Sequence, residues 1–458
     1  MFKLLSDKLS VPEAALTILV SILGSYVIAI IYNIFLVKHK VLFKQLFFII
    51  SGIGLGYLNH GADVLHTTAT ILGTYVILII LKGSREAVGA VFVYCLGYLL
   101  YGYMKTQGSD YNFEWTIPEC ILTLRLTAIA FDVYDGYRIK RGQKIAPNEC
   151  ALEEVPSVLD LLSASYLPFT FLVGPQFELK RFQAFLKQKD NLLEISFEPG
   201  IRRLFLALSY LIAYAIGNAY VPITAMETEQ FMTSSFFWKF TVIAICTKVQ
   251  CCKYIGIWLL SEGSLIVSGF TYNKKEKKLD NYSNVDVRLF ELATTFGDII
   301  RSFNLTTNNW AAKYLFKRLK FLGNRVASHA LTLAFLAIWH GWMSGYYITF
   351  IMEFIIMKFE WEILEIVKRI RANKPILDHF MSLTIVRWSL LIFFRFYTIY
   401  MFGYCLVSFN LLSFERWYPV LGSVYFAGHV IYLSWIPLSP IIHNLVAPLT
   451  GERQKKVN

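Results

Sequence analysis

Long apolar runs separated by short polar or basic segments dominate the chain. A helix of roughly 20 apolar residues spans a bilayer, so each of the longer runs predicts a membrane helix. The first run, at about 14–37, is too long for the core of a signal peptide and predicts a retained span. The other candidates lie at about 42–58, 67–81, 88–104, 117–133, 158–173, 203–221, 236–249, 254–270, 328–357, 384–408 and 418–447.

Several of these runs are shorter than a full span or are interrupted by proline and glycine. Such segments predict tilted or re-entrant helices packed against protein, because unpaired backbone groups are not tolerated against lipid. We therefore expect an all-α polytopic membrane protein, a bundle of about 9–12 transmembrane and re-entrant helices. One transmembrane domain is expected over 1–458, with N-terminal helices at 1–110, helices around a buried chamber at 111–447 and a tail at 448–458.

Composition excludes a soluble protein. Of the 458 residues, 56% are hydrophobic and only 17% are charged, whereas soluble domains are about a quarter charged. The formal net charge is +12, and in a membrane protein this favours basic cytoplasmic loops over a nucleic-acid partner. Seven cysteines occur without a CxxC spacing, so neither a metal site nor a disulfide framework is predicted.

One histidine stands out among eight. His340 interrupts the apolar run from Leu331 to Trp339 and is followed directly by Gly341. An imidazole at membrane depth is either a hydrogen-bonded packing residue or a functional group, and the residues alone leave both interpretations open. The motifs of serine hydrolases, zinc proteases and P-loop proteins are absent, as is the H-x-x-x-x-D arrangement of one large class of glycerolipid acyltransferases.

A polar segment from Phe303 to Trp310 leads into a basic one. On a regular helix Lys313, Lys317 and Lys320 share one face, which predicts an interfacial amphipathic helix. Such a helix either anchors to lipid headgroups or holds the phosphates of a soluble anionic substrate, and spacing does not choose between these.

Three stretches, in this order, resemble the membrane-bound O-acyltransferase (MBOAT) superfamily. They are Asn304 to Trp310, the basic segment, and Trp339-His340-Gly341. More narrowly, the chain resembles its lysophosphatidylcholine acyltransferase branch, also called the lysophospholipid acyltransferase branch. Further matching stretches are 131–136, 173–177, 258–263 and the dilysine tail. The Lys274 to Asp280 loop, His329 and Trp342 depart from the branch.

The resemblance implies an MBOAT-type bundle that transfers an acyl group, polyunsaturated in this branch, from acyl-CoA to the sn-2 hydroxyl of lysophosphatidylcholine and related lysophospholipids. His340 would be the general base, and burial in an apolar run keeps an imidazole neutral, as a base requires. Asn304 would either orient His340 or hydrogen-bond the oxyanion. Acyl-CoA is expected as co-substrate, with no permanently bound cofactor. The resemblance assigns acyl-CoA binding to Lys317, Arg318, Lys313 and Trp310, and the substrate chamber to Gln176, Trp339 and Tyr346.

Lys455 and Lys456 form a C-terminal dilysine pattern. It predicts retrieval by coat proteins, an endoplasmic-reticulum location and a cytosolic C-terminus. Asn281 fits a glycosylation sequon and is left open, as is the oligomeric state. The alternatives are an MBOAT enzyme acting on a protein or neutral lipid and, more distantly, a membrane transporter, for which the inverted repeats are not found.

Overall fold

The protein is a bundle of α-helices. A computed structural model describes residues 6, 12–106, 108, 113–144, 148–280 and 282–450. Two short strands, β1 (Tyr272–Asn273) and β2 (Lys278–Leu279), pair antiparallel. The helices are α1 (Glu13–Ile31), α2 (Val41–His60), α3 (Val64–Leu81), α4 (Arg85–Thr106), α5 (Thr116–Lys140), α6 (Val158–Ser165), α7 (Leu179–Lys187), α8 (Leu193–Tyr220), α9 (Glu229–Thr233), α10 (Phe236–Val267), α11 (Val287–Leu292), α12 (Phe296–Ile300), α13 (Leu305–Ala311), α14 (Arg325–His340), α15 (Ser344–Asn373), α16 (Pro375–Ser382), α17 (Thr384–Leu411), α18 (Phe414–Ser423) and α19 (Ala427–Thr450).

Seven helical stretches of the described chain are long and apolar enough to cross a membrane. The multi-pass, all-α architecture is therefore confirmed. Helix α5 does not belong to this set, and most of its central residues are buried within the bundle, as expected of a helix packed against protein. The seven stretches are 13–36, 41–81, 85–106, 193–227, 236–267, 384–411 and 427–450.

Several predicted runs differ from the helices that form. The run at 158–173 is helical only over Val158–Ser165, and the run at 418–447 is divided between α18 and α19. The runs at 236–249 and 254–270 belong to one continuous helix, α10, because the polar Gln250 between them lies buried against protein and does not end the helix. The run at 328–357 is two helices, because Gly341 between α14 and α15 has φ 124°. Only glycine adopts that conformation readily, so the chain turns directly after His340.

Helices α8 and α10 pack antiparallel along a seam of glycines. A Cβ atom at Gly200 would lie 2.8 Å from the Gly263 carbonyl oxygen, and one at Gly256 would lie 3.3 Å from that of Ala207. Small residues let the two backbones approach closely, which is how membrane helices associate without a hydrophobic driving force between them.

Basic residues collect at one end of the bundle. Short turns at 37–40, 61–63 and 82–84 make α1 to α4 successive antiparallel neighbours. The turns at 37–40 and 82–84 therefore lie at the same end, and they contain or adjoin five basic residues. Helix α5 starts at the opposite end and finishes with Arg138 and Lys140 at this one. We call it the basic end.

The last described residues also lie at the basic end. Helix α14 starts there and α15 returns antiparallel to it, as the ring contacts of His340 with Tyr346 and of His329 with Phe354 show. At the end of α15, the Asn373 side-chain amide donates to the Thr450 carbonyl oxygen at 2.7 Å. Residues 451–458, with both lysines of the predicted retrieval pattern, and Asn281 lie outside the described residues.

Candidate active site

Two buried tryptophans attach α13 and α14 to successive turns of α5. The Trp339 indole N–H donates to the Cys120 carbonyl oxygen at 3.0 Å, and that of Trp310 donates to the Leu124 carbonyl oxygen at 2.6 Å. The Trp310 ring also stacks on Phe335 of α14, with centroids 5.5 Å apart. These contacts fix the helix that follows Asn304 and the helix that ends at His340 against one common element.

His340 is the last residue of α14 and lies among aromatic rings. Its centroid is 4.7 Å from that of Trp339, 5.3 Å from Tyr346, 5.1 Å from Phe409 and 5.5 Å from Phe350. The rings confine the imidazole, yet the side chain is only half-buried. The predicted chamber residues Trp339 and Tyr346 are thus both in contact with the predicted base.

Asn304 occupies an unusual backbone position. It precedes α13 with φ 53° and ψ 43°, in the left-handed region that asparagine tolerates better than most residues. Its side chain makes no capping hydrogen bond to α13. The Asn308 amide instead holds the preceding loop, donating to the carbonyl oxygens of Ile300 and Phe303 at 2.9 Å each. The Asn304 amide is therefore not committed to starting its own helix.

Gln176 joins the start of α13 to α5. Its side-chain amide donates to the Ile121 carbonyl oxygen at 2.8 Å, and its backbone N–H donates to the Thr306 hydroxyl at 3.2 Å. The Thr306 hydroxyl in turn donates to the Asn284 side-chain oxygen. A residue predicted to line the chamber therefore sets the position of the segment that carries Asn304.

The two signature residues flank one turn of α5. His340 follows Trp339, which is bonded to Cys120, and Asn304 lies two residues before Thr306, which is bonded through Gln176 to Ile121. Cys120 and Ile121 are adjacent in the chain, so the neighbours of both signature residues are bonded to the same turn of α5.

The basic segment is not the regular helix that the lysine spacing predicts. A π-helical turn at Ala312–Phe316 is followed by a 3₁₀ turn at Arg318–Leu322, so the predicted i, i+4, i+7 face is not formed. Arg318 makes a bidentate ion pair with Asp135 at 3.1 and 2.6 Å, and Lys317 is exposed. The Tyr314 hydroxyl binds both carboxylate oxygens of Asp132 at 3.0 Å.

These contacts separate the four predicted acyl-CoA residues into two groups. Trp310 is buried, and Arg318 already has an acidic partner. Lys317 is exposed and Lys313 is half-buried above the Tyr314 ring. A charged ligand therefore has access first to the two lysines.

Depth separates the basic segment from the signature residues. Asp135, the partner of Arg318, lies fifteen residues along α5 from Cys120. At 1.5 Å per residue this is about 22 Å along the helix axis. An elongated substrate is needed to contact both places at once.

Arg125 supports the site and was missed by sequence reasoning. Its buried guanidinium donates to the carbonyl oxygens of Ala164 at 2.9 Å and Pro175 at 3.3 Å, and lies 4.2 Å from the Phe177 ring centroid. It thereby holds the loop that carries Gln176. Its position inside the apolar run 117–133 was the available indication, since a charge at membrane depth requires partners.

Comparison with known proteins agrees with this arrangement. A family model for the membrane-bound O-acyltransferase family matches residues 100–403. A Drosophila melanogaster protein named lysophospholipid acyltransferase 5 is 36% identical over 464 aligned residues, which cover 98% of this chain and 93% of that protein. The human protein of the same name is 33% identical, with 99% and 94% covered. The matched family region contains Asn304, His340 and the α5 turn between them, and the chain is a multi-pass acyltransferase of the membrane-bound O-acyltransferase family.

Proposed function

We propose that the protein acylates lysophospholipids, with acyl-CoA as donor, His340 as general base and Asn304 as the donor of a hydrogen bond to the oxyanion. The observation that supports the proposal is that hydrogen bonds to Cys120 and Ile121, in one turn of α5, hold Trp339 beside His340 and Gln176 beside the segment of Asn304. The names of the Drosophila and human relatives support the lysophospholipid acceptor.

The reaction needs a base because an alcohol is a poor nucleophile at neutral pH. The lysophospholipid hydroxyl oxygen attacks the thioester carbonyl carbon while its proton passes to the His340 imidazole. Collapse of the tetrahedral intermediate breaks the carbon–sulfur bond, and His340 returns the proton to the leaving thiolate. The products are a diacyl phospholipid and free coenzyme A.

The cage of aromatic rings around His340 suits this chemistry. Four aromatic rings have centroids within 5.5 Å of that of the imidazole, and they limit access of water, which would hydrolyse the thioester in competition with the acceptor. The Asn304 amide makes no capping bond to α13, which supports its role at the developing oxyanion.

Acyl-CoA suits the distance between the site and the basic end. Its phosphates would meet Lys317 and Lys313, and its extended arm would cross the interval of about 22 Å to the depth of His340. Arg318 is assigned to holding Asp135. A polyunsaturated acyl chain and a lysophosphatidylcholine acceptor are our proposals from the sequence resemblance.

We also propose that the basic end faces the cytosol, as the distribution of lysine and arginine in membrane proteins favours. Thr450 lies at that end, which supports a cytosolic C-terminus and retrieval of the protein to the endoplasmic reticulum through Lys455 and Lys456.

The test compares two histidines of one helix. Membranes containing the protein are incubated with labelled acyl-CoA and a panel of lysolipids, beside His340→Gln and the matched control His329→Gln. We expect acylated product from the unsubstituted protein and the control, and a loss of at least a hundredfold from His340→Gln. Full activity of His340→Gln would remove that residue from the mechanism. Absence of product from every lysolipid with the unsubstituted protein would reject the proposed acceptor class.

A further inference from the structure

Two adjacent polar side chains of α10, Ser261 and Glu262, lie inside the bundle, and neither is among the predicted site residues. Both are almost completely buried. A carboxylate inside a membrane bundle is costly unless it has partners, and such residues are commonly functional. The partners of these two side chains lie on α8 and on the two segments that are bonded to the start of α13.

Glu262 joins α8 to the segment that follows the β-hairpin. One of its carboxylate oxygens pairs with Arg203 of α8 at 3.1 Å, and the other lies 2.7 Å from the Ser283 hydroxyl. The Glu262 side chain is 4% exposed, whereas that of Arg203 is 34% exposed. Because the carboxylate is paired with a cation, it acts as an acceptor and the Ser283 hydroxyl donates to it.

Ser283 begins a stretch of extended chain that pairs with the segment of Asn304. The two segments, 283–286 and 302–305, are joined by an antiparallel bridge. Backbone hydrogen bonds of 2.9 and 3.0 Å flank this bridge, and the second is donated by Leu305, the residue after Asn304. A displacement of 283–286 is therefore transmitted directly to the backbone of Asn304.

Ser261 holds the loop on the other side of the same segment. Its hydroxyl lies 2.6 Å from two carbonyl oxygens of the loop that carries Gln176. The Gln176 backbone N–H donates to the Thr306 hydroxyl, which itself donates to the Asn284 side chain. The two links from α10 therefore meet at Thr306, two residues after Asn304.

The backbone of Asn304 requires such support. Its φ of 53° lies in the left-handed region, and residues other than glycine persist there only where the surrounding structure enforces the conformation. Because φ and ψ set the direction of the side chain, loosening of the segment turns the Asn304 amide away from its direction in the folded protein.

We propose that Glu262 is a positioning residue for Asn304. By holding Ser283 it fixes the segment 283–286 and, through the pairing of 283–286 with 302–305, the direction of the Asn304 amide. The proposal rests on the proposed function, in which this amide donates to the oxyanion, and it adds a residue that acts on the reaction through Asn304.

The first experiment measures kcat and both KM values with the full chain in membranes. Glu262→Ala removes the acceptor for Ser283, whereas Glu262→Gln keeps a side-chain oxygen that accepts this hydroxyl. The matched control is Glu362→Ala. Glu362 is a half-buried acid of α15 that likewise accepts from a serine, Ser439 of α19 at 2.7 Å.

We expect Glu262→Ala to lower kcat about tenfold, because a small misplacement of a group that acts in the transition state lowers the rate steeply. The KM values for acyl-CoA and lysophosphatidylcholine should change less than twofold, and Glu262→Gln should keep at least half of the kcat. Raised KM values at unchanged kcat would overturn the proposal. Equal losses in Glu262→Ala and Glu262→Gln, or a tenfold loss in Glu362→Ala, would overturn it as well.

A double-mutant cycle separates positioning of Asn304 from a general loss of structure. If Glu262 acts through the Asn304 amide, Glu262→Ala should lower kcat less than twofold further in the Asn304→Gly protein, which has no amide to position. A second tenfold fall in that background would show that the two residues act independently and would overturn the proposal.

Ser283→Ala gives an independent way to break the same link, for use if Glu262→Ala does not fold. It leaves the ion pair between Arg203 and Glu262 in place, and the same tenfold fall of kcat is expected. Its control is Asn281→Gln, which removes the same glycosylation sequon. Full kcat in Ser283→Ala would overturn the proposal.

Hydrogen–deuterium exchange of the solubilised protein tests the link without catalysis. Glu262→Ala should speed exchange several-fold in peptides that cover 302–308 but not in those of α14. Unchanged exchange over 302–308 overturns the proposal, whatever the enzyme's activity. If exchange rises there while Asn304→Gly keeps its activity, the oxyanion role fails and the positioning link stands.

Discussion

Substitutions at Asn304 separate the backbone role of this residue from its chemical role. The residue has φ 53°, and its side chain makes no capping hydrogen bond to α13. Glycine adopts this conformation without strain, whereas alanine does not. Asn304→Gly therefore removes only the amide, while Asn304→Ala removes the amide and adds strain.

The expected magnitudes follow from these two effects. Loss of a hydrogen-bond donor to an oxyanion lowers kcat by roughly 10²–10³-fold, or about 2.7–4 kcal/mol. We expect this fall in both variants. The left-handed conformation costs alanine about 1 kcal/mol more than glycine. Only Asn304→Ala should therefore lose thermal stability, by about 1 °C in a chain of 458 residues.

The assay combines initial rates of acyl transfer with the melting temperature of the detergent-solubilised protein. A variant that keeps its melting temperature and loses at least a hundredfold in kcat places the amide in the chemistry. If Asn304→Gly keeps more than a tenth of the activity, the oxyanion role is refuted. If both variants melt alike, the argument about backbone strain at this position is wrong.

Two further predictions concern the basic end and the helix seam. Lys317→Gln should raise the KM for acyl-CoA several-fold at unchanged melting temperature, whereas Arg318→Gln should cost about 1–2 kcal/mol of stability, because Asp135 loses its cation in a partly buried site. The reverse pattern in kinetics and melting would contradict our assignment. Gly200→Ala should lower the melting temperature because the α8–α10 seam has no room for a methyl group, while Gly24→Ala, with open space around it, should not. Equal melting temperatures for these two variants would show that the packing of α8 against α10 adjusts to an added methyl group.

The sequence predicted what depends on composition and on side-chain type. Apolar runs located the membrane helices, since a bilayer requires roughly 20 such residues. An imidazole within one run identified His340, because ionisable groups are rare at that depth. Arg125 lies in an apolar run of the same kind, but its partners are backbone carbonyl oxygens, which residue types do not mark.

Features that depend on backbone geometry could not be predicted. The lysine spacing assumed 3.6 residues per turn, and the π-helical turn at Ala312–Phe316 removes that regularity. Nothing in the residue types at 120, 121 and 124 marks the carbonyl oxygens to which two indoles and an amide are bonded. Carbonyl oxygens are common to all residues, so the role of α5 emerges only from the fold.

The role of α5 explains how the signature residues can lie with 35 residues between them in the chain. Asn304 and His340 do not set each other's position through the chain, because the segment that joins them changes from α to π to 3₁₀ geometry. The position of each is instead set by a hydrogen bond to the same turn of α5. Gln176 makes this bond on the side of Asn304, and Trp339 makes it on the side of His340. A helix is stiffened by its own backbone hydrogen bonds, so it positions site residues more precisely than a connecting segment does. The joining segment is therefore free to serve a different role at the basic end. There Lys317 is exposed, and Arg318 pairs with Asp135 of α5.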